Sequence, residues 1–130
     1  MFPATYENRF YRKKNETLIA DISADGIIIN NTQDALDMMM NCSYQGADKI
    51  IWYEQNITPE FFDLKTKLAG NILQKFSTYN MELAIIGEFS KYNSKSLKDF
   101  IFESNKQRKI NFLATKEEAL AILSANKRSI

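Results

Sequence analysis

Histidine is missing from the 130-residue chain, which also has one cysteine, two prolines and four glycines. The lack of histidine excludes Ser–His and Cys–His nucleophile pairs, imidazole metal ligands and the side chain that most often transfers protons near neutral pH. Cys42 has no second cysteine with which to form an internal disulfide, and no two acidic residues have a convincing metal-ligand spacing. We therefore expect no metal and no cofactor, and we predict no catalytic residues.

An excess of charge of one sign is also lacking, because 17 basic residues stand against 16 acidic ones. Such a balance provides no overall field to steer the protein onto nucleic acid, a membrane or an acidic substrate. No run approaches the roughly 18 apolar residues of a membrane span. Residues 1–9 lack the basic and apolar regions of a signal peptide. These features predict a cytoplasmic protein without a membrane partner.

The chain has the common size of one domain, and its 45% of hydrophobic residues is enough for one core. A single domain is expected over residues 1–130. Residues 1–16 mix aromatic and basic side chains and are expected to form an edge strand or a loose arm. Residues 127–130 are expected to be a frayed tail.

Strand patterns define the expected sheet. The apolar runs 17–22 and 27–30 flank Asp25-Gly26, a step that allows the positive φ angles of a tight hairpin turn. These two runs are predicted to pair antiparallel. Three later segments have the β-branched and aromatic content of buried strands; they are 49–54, 81–87 and 110–113.

Helix patterns fill the intervals between the strands. The first helix is predicted to begin at Asn31 or Thr32 and to end near Gly46. The second begins at Thr58-Pro59-Glu60 and contains Gly70, which is expected to lie where the helix packs on the sheet. The apolar faces of these two helices are predicted to be, in turn, Ala35, Leu36, Met39 and Met40, and Phe61, Leu64, Leu68, Ile72 and Phe76.

Two further helices complete the pattern. One is predicted from Ser94 to about Asn105, and the other follows a capping box in which Thr115 and Glu118 bond each other's backbone N–H groups. The fold class is therefore α/β. We expect a mixed sheet of five strands, or six if residues 1–16 join, opened by an antiparallel hairpin and continued by alternating parallel strands and about four helices.

Motifs between Thr32 and Leu120 are specific in combination. They include residues 34–37 (Asp-Ala-Leu-Asp), 44–50 (Tyr-Gln-Gly-Ala-Asp-Lys-Ile) and 84–92 (Ala-Ile-Ile-Gly-Glu-Phe-Ser-Lys-Tyr). Together they resemble the bacterial family called domain of unknown function 4180. That family has no established activity, so the resemblance implies a fold and not a reaction.

The order of elements is more distantly similar to STAS-like domains, which mostly act by binding partner proteins. That similarity implies a non-enzymatic regulatory or protein-interaction module. In the bacterial anti-sigma antagonists, a serine at the start of the helix after the central strand accepts a phosphate. Residues 61–66 occupy that neighbourhood here and offer only Thr66 as a hydroxyl, so the switch is not carried over.

Polar side chains follow the central strands, where loops at the carboxyl ends of parallel strands favour ligands. A binding role for a ligand or partner is assigned to Glu54, Asp63, Lys65, Thr66, Glu88, Ser90 and Tyr92. The alternative is that these are turn residues and caps that satisfy their own backbone. Glu54 and Glu88 would form an acid–base pair if they faced each other across neighbouring strands.

Two functions from different classes are open. The first is a STAS-like module that binds another protein or a second copy of itself. The second is a small polar ligand-binding protein or enzyme, which would gain support if Glu54, Asp63, Lys65 and Glu88 converged on a cavity of roughly a few hundred cubic ångströms. The third helix is locally basic but is interrupted by acidic residues, so we expect no nucleic-acid partner.

Overall fold

The computed structural model, which describes residues 6–12 and 18–125, contains within them one mixed sheet of five strands. Their order across the sheet is the same as their order along the chain. The first two strands pair antiparallel, and every later pair is parallel, so the predicted fold class is confirmed. The strands are β1 (Tyr6–Arg12), β2 (Leu18–Ala24), β3 (Lys49–Tyr53), β4 (Glu82–Ile86) and β5 (Ile110–Leu113).

The remaining residues, 1–5, 13–17 and 126–130, lie outside the described part of the chain. They include most of the predicted arm on either side of β1 and the whole of the predicted tail at 127–130. In the described part, β1 is an edge strand of the sheet.

The predicted pairing of residues 17–22 with 27–30 is wrong. β2 pairs antiparallel with β1 instead, with Arg9 opposite Asp21. Residues 27–30 turn away because the backbone N–H groups of Ile28 and Ile29 donate to the carbonyl of Asn56, at 2.9 and 3.1 Å. The buried Asn56 amide also donates to the carbonyls of Ala24 and Gly26, at 2.8 and 2.9 Å. A long-range amide therefore shapes the Asp25-Gly26 bend that sequence alone interprets as a hairpin turn.

Four α-helices lie in the described residues: α1 (Thr32–Tyr44), α2 (Leu68–Thr78), α3 (Lys95–Gln107) and α4 (Lys116–Ala125). The predicted cap of α1 is confirmed, since the Asn31 side chain accepts from the Asp34 N–H at 2.8 Å. The capping box is also confirmed, because Thr115 and Glu118 accept from each other's backbone N–H groups at 3.1 Å. In α1 the predicted apolar face is wrong at one position: Met38 is buried, whereas Met40 is exposed. No helix within the described ranges combines the length and apolarity needed to cross a membrane.

The second helix begins later than predicted, because Pro59–Phe62 and Leu64–Thr66 form separate 3₁₀ turns. Asp63 interrupts them with an extended backbone, and its carboxylate accepts from the Lys65 N–H at 3.2 Å. Lys67 then adopts a left-handed φ of 66° immediately before α2. The prediction for Gly70 is also wrong, since it is exposed and its Cβ would meet no atom within 4 Å apart from its chain neighbours and the backbone of its own helix.

The helices divide unequally between the two faces of the sheet. Strands that follow one another in order through right-handed crossovers place the connecting helices on one face. Buried side chains of α1, α2 and α3 accordingly join one core, which includes Trp52 packed edge-to-face on Phe76. Of the four described helices, only α4 contributes to the smaller core of the opposite face, where Ala119 and Leu123 pack with Ile51. Because β3 and β4 lie side by side, their carboxyl ends open at a shared edge.

Candidate functional site

A close backbone approach marks the shared edge. Tyr53 is paired with Ile86, so Glu54 and Gly87 leave the sheet side by side. A Cβ on Gly87 would lie 2.6 Å from both the Cβ and the Oε1 of Glu54. Such a distance is far inside ordinary van der Waals contact, so glycine at this position makes room for the Glu54 side chain.

Three donors hold the Glu54 carboxylate. The Tyr92 hydroxyl donates to Oε2, and the Lys91 ammonium lies 2.9 Å from the same oxygen. The backbone N–H of Glu88 donates to Oε1 at 3.2 Å. The Glu54 side chain is only 11% exposed, so the carboxylate is fixed beneath groups that reach it from the loop after β4.

These contacts determine the protonation of the pair. Burial alone would raise the pKa of Glu54, but the hydrogen bonds from Tyr92, Lys91 and the Glu88 N–H outweigh it and lower that pKa below its ordinary value. Burial and the hydrogen bond to Glu54 raise the pKa of Tyr92. At neutral pH the site therefore contains an ionised carboxylate and a protonated phenol. Glu88 contacts Glu54 through its backbone N–H and not as the second carboxylate of an acid–base pair.

Aromatic packing supports the site from below. The Phe62 ring stacks on Tyr92, with 5.3 Å between ring centroids and 20° between their planes. Phe62 also contacts Phe61 and Phe89 at centroid distances of 4.9 and 6.0 Å. The 3₁₀ turn Pro59–Phe62, which replaces the predicted start of the second helix, thus brings an aromatic support beneath Tyr92.

An open cleft of about 520 Å³ lies above this carboxylate, at the carboxyl ends of β3 and β4. Its size is within the usual range for small-ligand sites. The lining combines two carboxylates and one ammonium with aromatic and apolar side chains. The lining residues are Tyr53, Glu54, Gln55, Pro59, Ile86, Gly87, Glu88, Lys91 and Tyr92.

Sequence reasoning finds part of this site. Of the seven predicted residues, Glu54, Glu88 and Tyr92 line the cleft. Lys91 is not among the predicted site residues. Its position next to Tyr92, in the loop after a strand, could have identified it. The close approach at Gly87 depends on strand register, which a single sequence does not show.

The other four predicted residues do not line the cleft. The Thr66 hydroxyl bonds the carbonyls of Glu60 and Asp63, each at 2.8 Å, and accepts from the Leu68 N–H. Asp63 caps the backbone of Lys65. These three residues satisfy their own turns, as the alternative interpretation expects. Ser90 is exposed in the 3₁₀ turn Phe89–Lys91.

Comparison with known proteins agrees with the resemblance drawn from the motifs. The family model described as Domain of unknown function (DUF4180) matches residues 14–123. The chain belongs to the DUF4180 family. No curated protein and no solved structure matches it.

This DUF4180 domain has a second cluster of a carboxylate, a lysine and a tyrosine, which the sequence analysis does not predict. Asp21 is buried in β2, on the face covered by α4, and its Oδ2 lies 3.2 Å from the Lys116 ammonium. The same ammonium is 4.9 Å from the centre of the Tyr11 ring. Burial and a hydrogen bond to Asp21 raise the pKa of Tyr53. Since Tyr53 also lines the cleft, its ring connects the two clusters.

The described residues contain no group of three or more acidic, cysteine or histidine side chains able to hold a metal ion. Cys42 is buried in α1, and burial raises the pKa of its thiol to about 12. A thiol in that state is a small core side chain and not a nucleophile.

Proposed function

We propose that this DUF4180 domain is a non-enzymatic module that binds a small polar ligand at the carboxyl ends of β3 and β4. The observation that carries the proposal is the cleft of about 520 Å³ above the fixed Glu54 carboxylate. Carboxyl ends of parallel strands are the usual location of ligand sites in α/β sheets. We also propose that the protein is cytoplasmic, as expected from its sequence.

Binding explains the state of Glu54 better than proton transfer does. A general acid or base needs a pKa near the working pH and a proton that it can exchange with a substrate. Glu54 instead has a lowered pKa and three donors already in place. The raised pKa of Tyr92 likewise keeps its proton on the phenol. A fixed charge in a preformed cleft suits recognition, because the carboxylate is already ionised and held in position when a ligand arrives.

The test is a fragment screen followed by amide chemical shifts in two-dimensional NMR. We expect hits to move the amide signals of Gln55, Gly87 and Glu88, which line the cleft. Gln55→Trp would fill the cleft from an exposed position and abolish those shifts. Gln45→Trp is the matched control, since Gln45 is exposed at the end of α1, outside the lining. Hits that leave the cleft signals unmoved, or that survive Gln55→Trp, would contradict the proposal.

The second candidate function is binding of a partner protein, in line with the resemblance to STAS-like modules. We propose that this partner is a second copy of the chain. The Phe102 side chain on α3 is 63% exposed and lies beside Glu103 and Lys106, which form an ion pair at 3.9 Å. In a twofold dimer the same patch of both copies meets, so the two Phe102 side chains could pack together and each charge could face the opposite charge of the other copy. A groove of about 400 Å³ between α2 and α3 adjoins this patch.

Light scattering over a concentration series tests the second candidate. A dimer through this patch would raise the molar mass with concentration, and Phe102→Ser would hold the protein monomeric. Tyr44→Ser is the control, because Tyr44 is an exposed aromatic residue on α1. A monomeric mass at every concentration would contradict the proposal that a second copy of the chain binds this patch.

A further inference from the structure

Lys91 already places a cation in the cleft. Its ammonium lies 2.9 Å from Glu54 Oε2 and 5.5 Å from the centre of the Tyr92 ring. A carboxylate and an aromatic face are the two groups that recognise organic ammonium ions in proteins. The Lys91 side chain is 56% exposed, whereas that of Glu54 is 11% exposed, so the cation reaches the carboxylate from the solvent side.

The charge of the lining has the sign that a cationic ligand needs. Glu54 and Glu88 contribute two carboxylates, and Lys91 contributes one ammonium. If Lys91 swings into solvent, both carboxylates remain without that neutralising charge. An anionic ligand would have to bind Lys91 beside these two carboxylates, and repulsion between the negative charges would weaken its binding.

The rest of the lining favours an apolar body on the ligand. Tyr53, Pro59 and Ile86 border the cleft beside Tyr92 and offer carbon surface without further charge. The volume of about 520 Å³ accommodates a ring or a short chain together with the charged group.

We infer that the cleft selects small organic cations, an ammonium or guanidinium group carried on an apolar body, and that Lys91 occupies the cation position until such a ligand displaces it. The inference rests on the proposed function and specifies its ligand class. Tyr92 and the Glu88 N–H would continue to hold Glu54 in place during the exchange. Among the three donors to Glu54, Lys91 is the one that can leave, since its side chain is 56% exposed, whereas Tyr92 is half-buried and Glu88 donates from its backbone.

The experiment compares three probes that share a ring and differ in charge: benzylammonium, benzyl alcohol and benzoate. Affinities are measured by NMR titration of the cleft amides. In the unaltered protein we expect benzylammonium to bind more tightly than the other two. Lys91→Met would raise its affinity about fivefold by removing the competing ammonium, and Glu54→Gln would lower it about tenfold.

The matched control is Lys106→Met. Lys106 also lies 5.5 Å from an aromatic ring centre, that of Phe102, and also pairs with a glutamate, but it is outside the cleft lining. We expect Lys106→Met to leave the affinity for benzylammonium unchanged. An equal gain in both lysine variants would attribute the effect to net charge and overturn the role of Lys91.

The outcomes separate the two proposals. Benzoate or benzyl alcohol binding as well as benzylammonium would overturn the cation class while leaving a ligand site in place. No shift of the cleft amides with any of the three probes or with the fragment screen would overturn the proposed function as well. The probe ranking is read in the unaltered protein, so it decides the question even if Glu54→Gln fails to fold.

Discussion

Glu54 and Asp21 each meet a lysine ammonium beside a tyrosine ring, and the two clusters differ in what covers them. Glu54 lies where β3 ends, and its lysine is 56% exposed. Asp21 lies within β2 under the start of α4, and its lysine is 34% exposed. Every oxygen of Glu54 accepts a hydrogen bond, whereas Oδ1 of Asp21 has no partner among the described residues. A carboxylate, a lysine ammonium and a tyrosine ring therefore form an accessible site at a strand end in one case and a buried contact on a sheet face in the other.

The position along the strand explains the difference. A side chain in the middle of a strand points to a face, and α4 buries the face that carries Asp21. A side chain just past the end of a strand lies in a loop, where solvent and ligands have access. The Asp21 contact thus joins α4 to the sheet, and the Glu54 contact shapes a cleft. Two substitutions of the same kind should separate these roles.

The largest effect is expected from Asp21→Asn, which we expect to lower the free energy of unfolding by about 2–3 kcal/mol. The change removes the negative charge that pairs with Lys116 and leaves the Tyr53 hydroxyl a neutral amide oxygen as its acceptor in a buried place. Urea unfolding at neutral pH measures it. Asp25→Asn is the control, because Asp25 is exposed in the following bend. A stability equal to that of the unaltered protein would mean that the unpaired Oδ1 costs as much as the ion pair contributes.

Gly87→Ala should have the next largest effect, a loss of about 2 kcal/mol. The new methyl group would lie 2.6 Å from the Cβ of Glu54, which no side-chain rotation can move away. Glu54 would have to shift from its donors, so the cleft amide signals should change together with the melting temperature. Gly26→Ala provides the control, since its Cβ meets nothing within 4 Å. Equal stability of the two variants would contradict the close approach.

The pH dependence of Glu54→Gln should be smaller. The pKa of Glu54 is lower in the folded protein than its ordinary value of 4.5. The carboxylate therefore stabilises the fold above that value, and this contribution is lost as the pH falls through the lowered pKa. We expect Glu54→Gln to cost about 1 kcal/mol at neutral pH and progressively less as the pH falls below the ordinary pKa of glutamate. Parallel urea curves at neutral and acid pH check this, and a difference that grows in acid would contradict the assigned direction.

Local signals in the sequence predict most of the fold. The capping box at Thr115 and the cap at Asn31 involve residues three apart, so a short segment contains the whole interaction. The strands around Ile51 and Ala84 are recognisable because both faces are buried, which requires continuous apolar runs. Long-range contacts explain the failures. The bend at Gly26 is bonded by Asn56, some thirty residues away.

The candidate site is less predictable for the same reason. Glu54 and Tyr92 are 38 residues apart, and only the register of β3 and β4 brings them together. Placing polar residues after the central strands identifies both, because carboxyl ends share an edge. The interruption at Asp63 has no strong local signal, since Thr58-Pro59 is a good helix start that tertiary packing of Phe62 overrides.

The smallest effect is expected from Gly70→Ala. This substitution tests whether position 87 needs glycine because of its contact with Glu54. Gly70 lies within α2, has no positive φ and meets nothing within 4 Å of its would-be Cβ. Gly70→Ala should therefore raise the free energy of unfolding by about 0.5–1 kcal/mol, because alanine loses less backbone entropy in a helix. Opposite signs for Gly70→Ala and Gly87→Ala would attribute the loss at 87 to its contact with Glu54. A loss at both positions would instead implicate the groove between α2 and α3, which Gly70 lines, as a surface that tolerates no added methyl group.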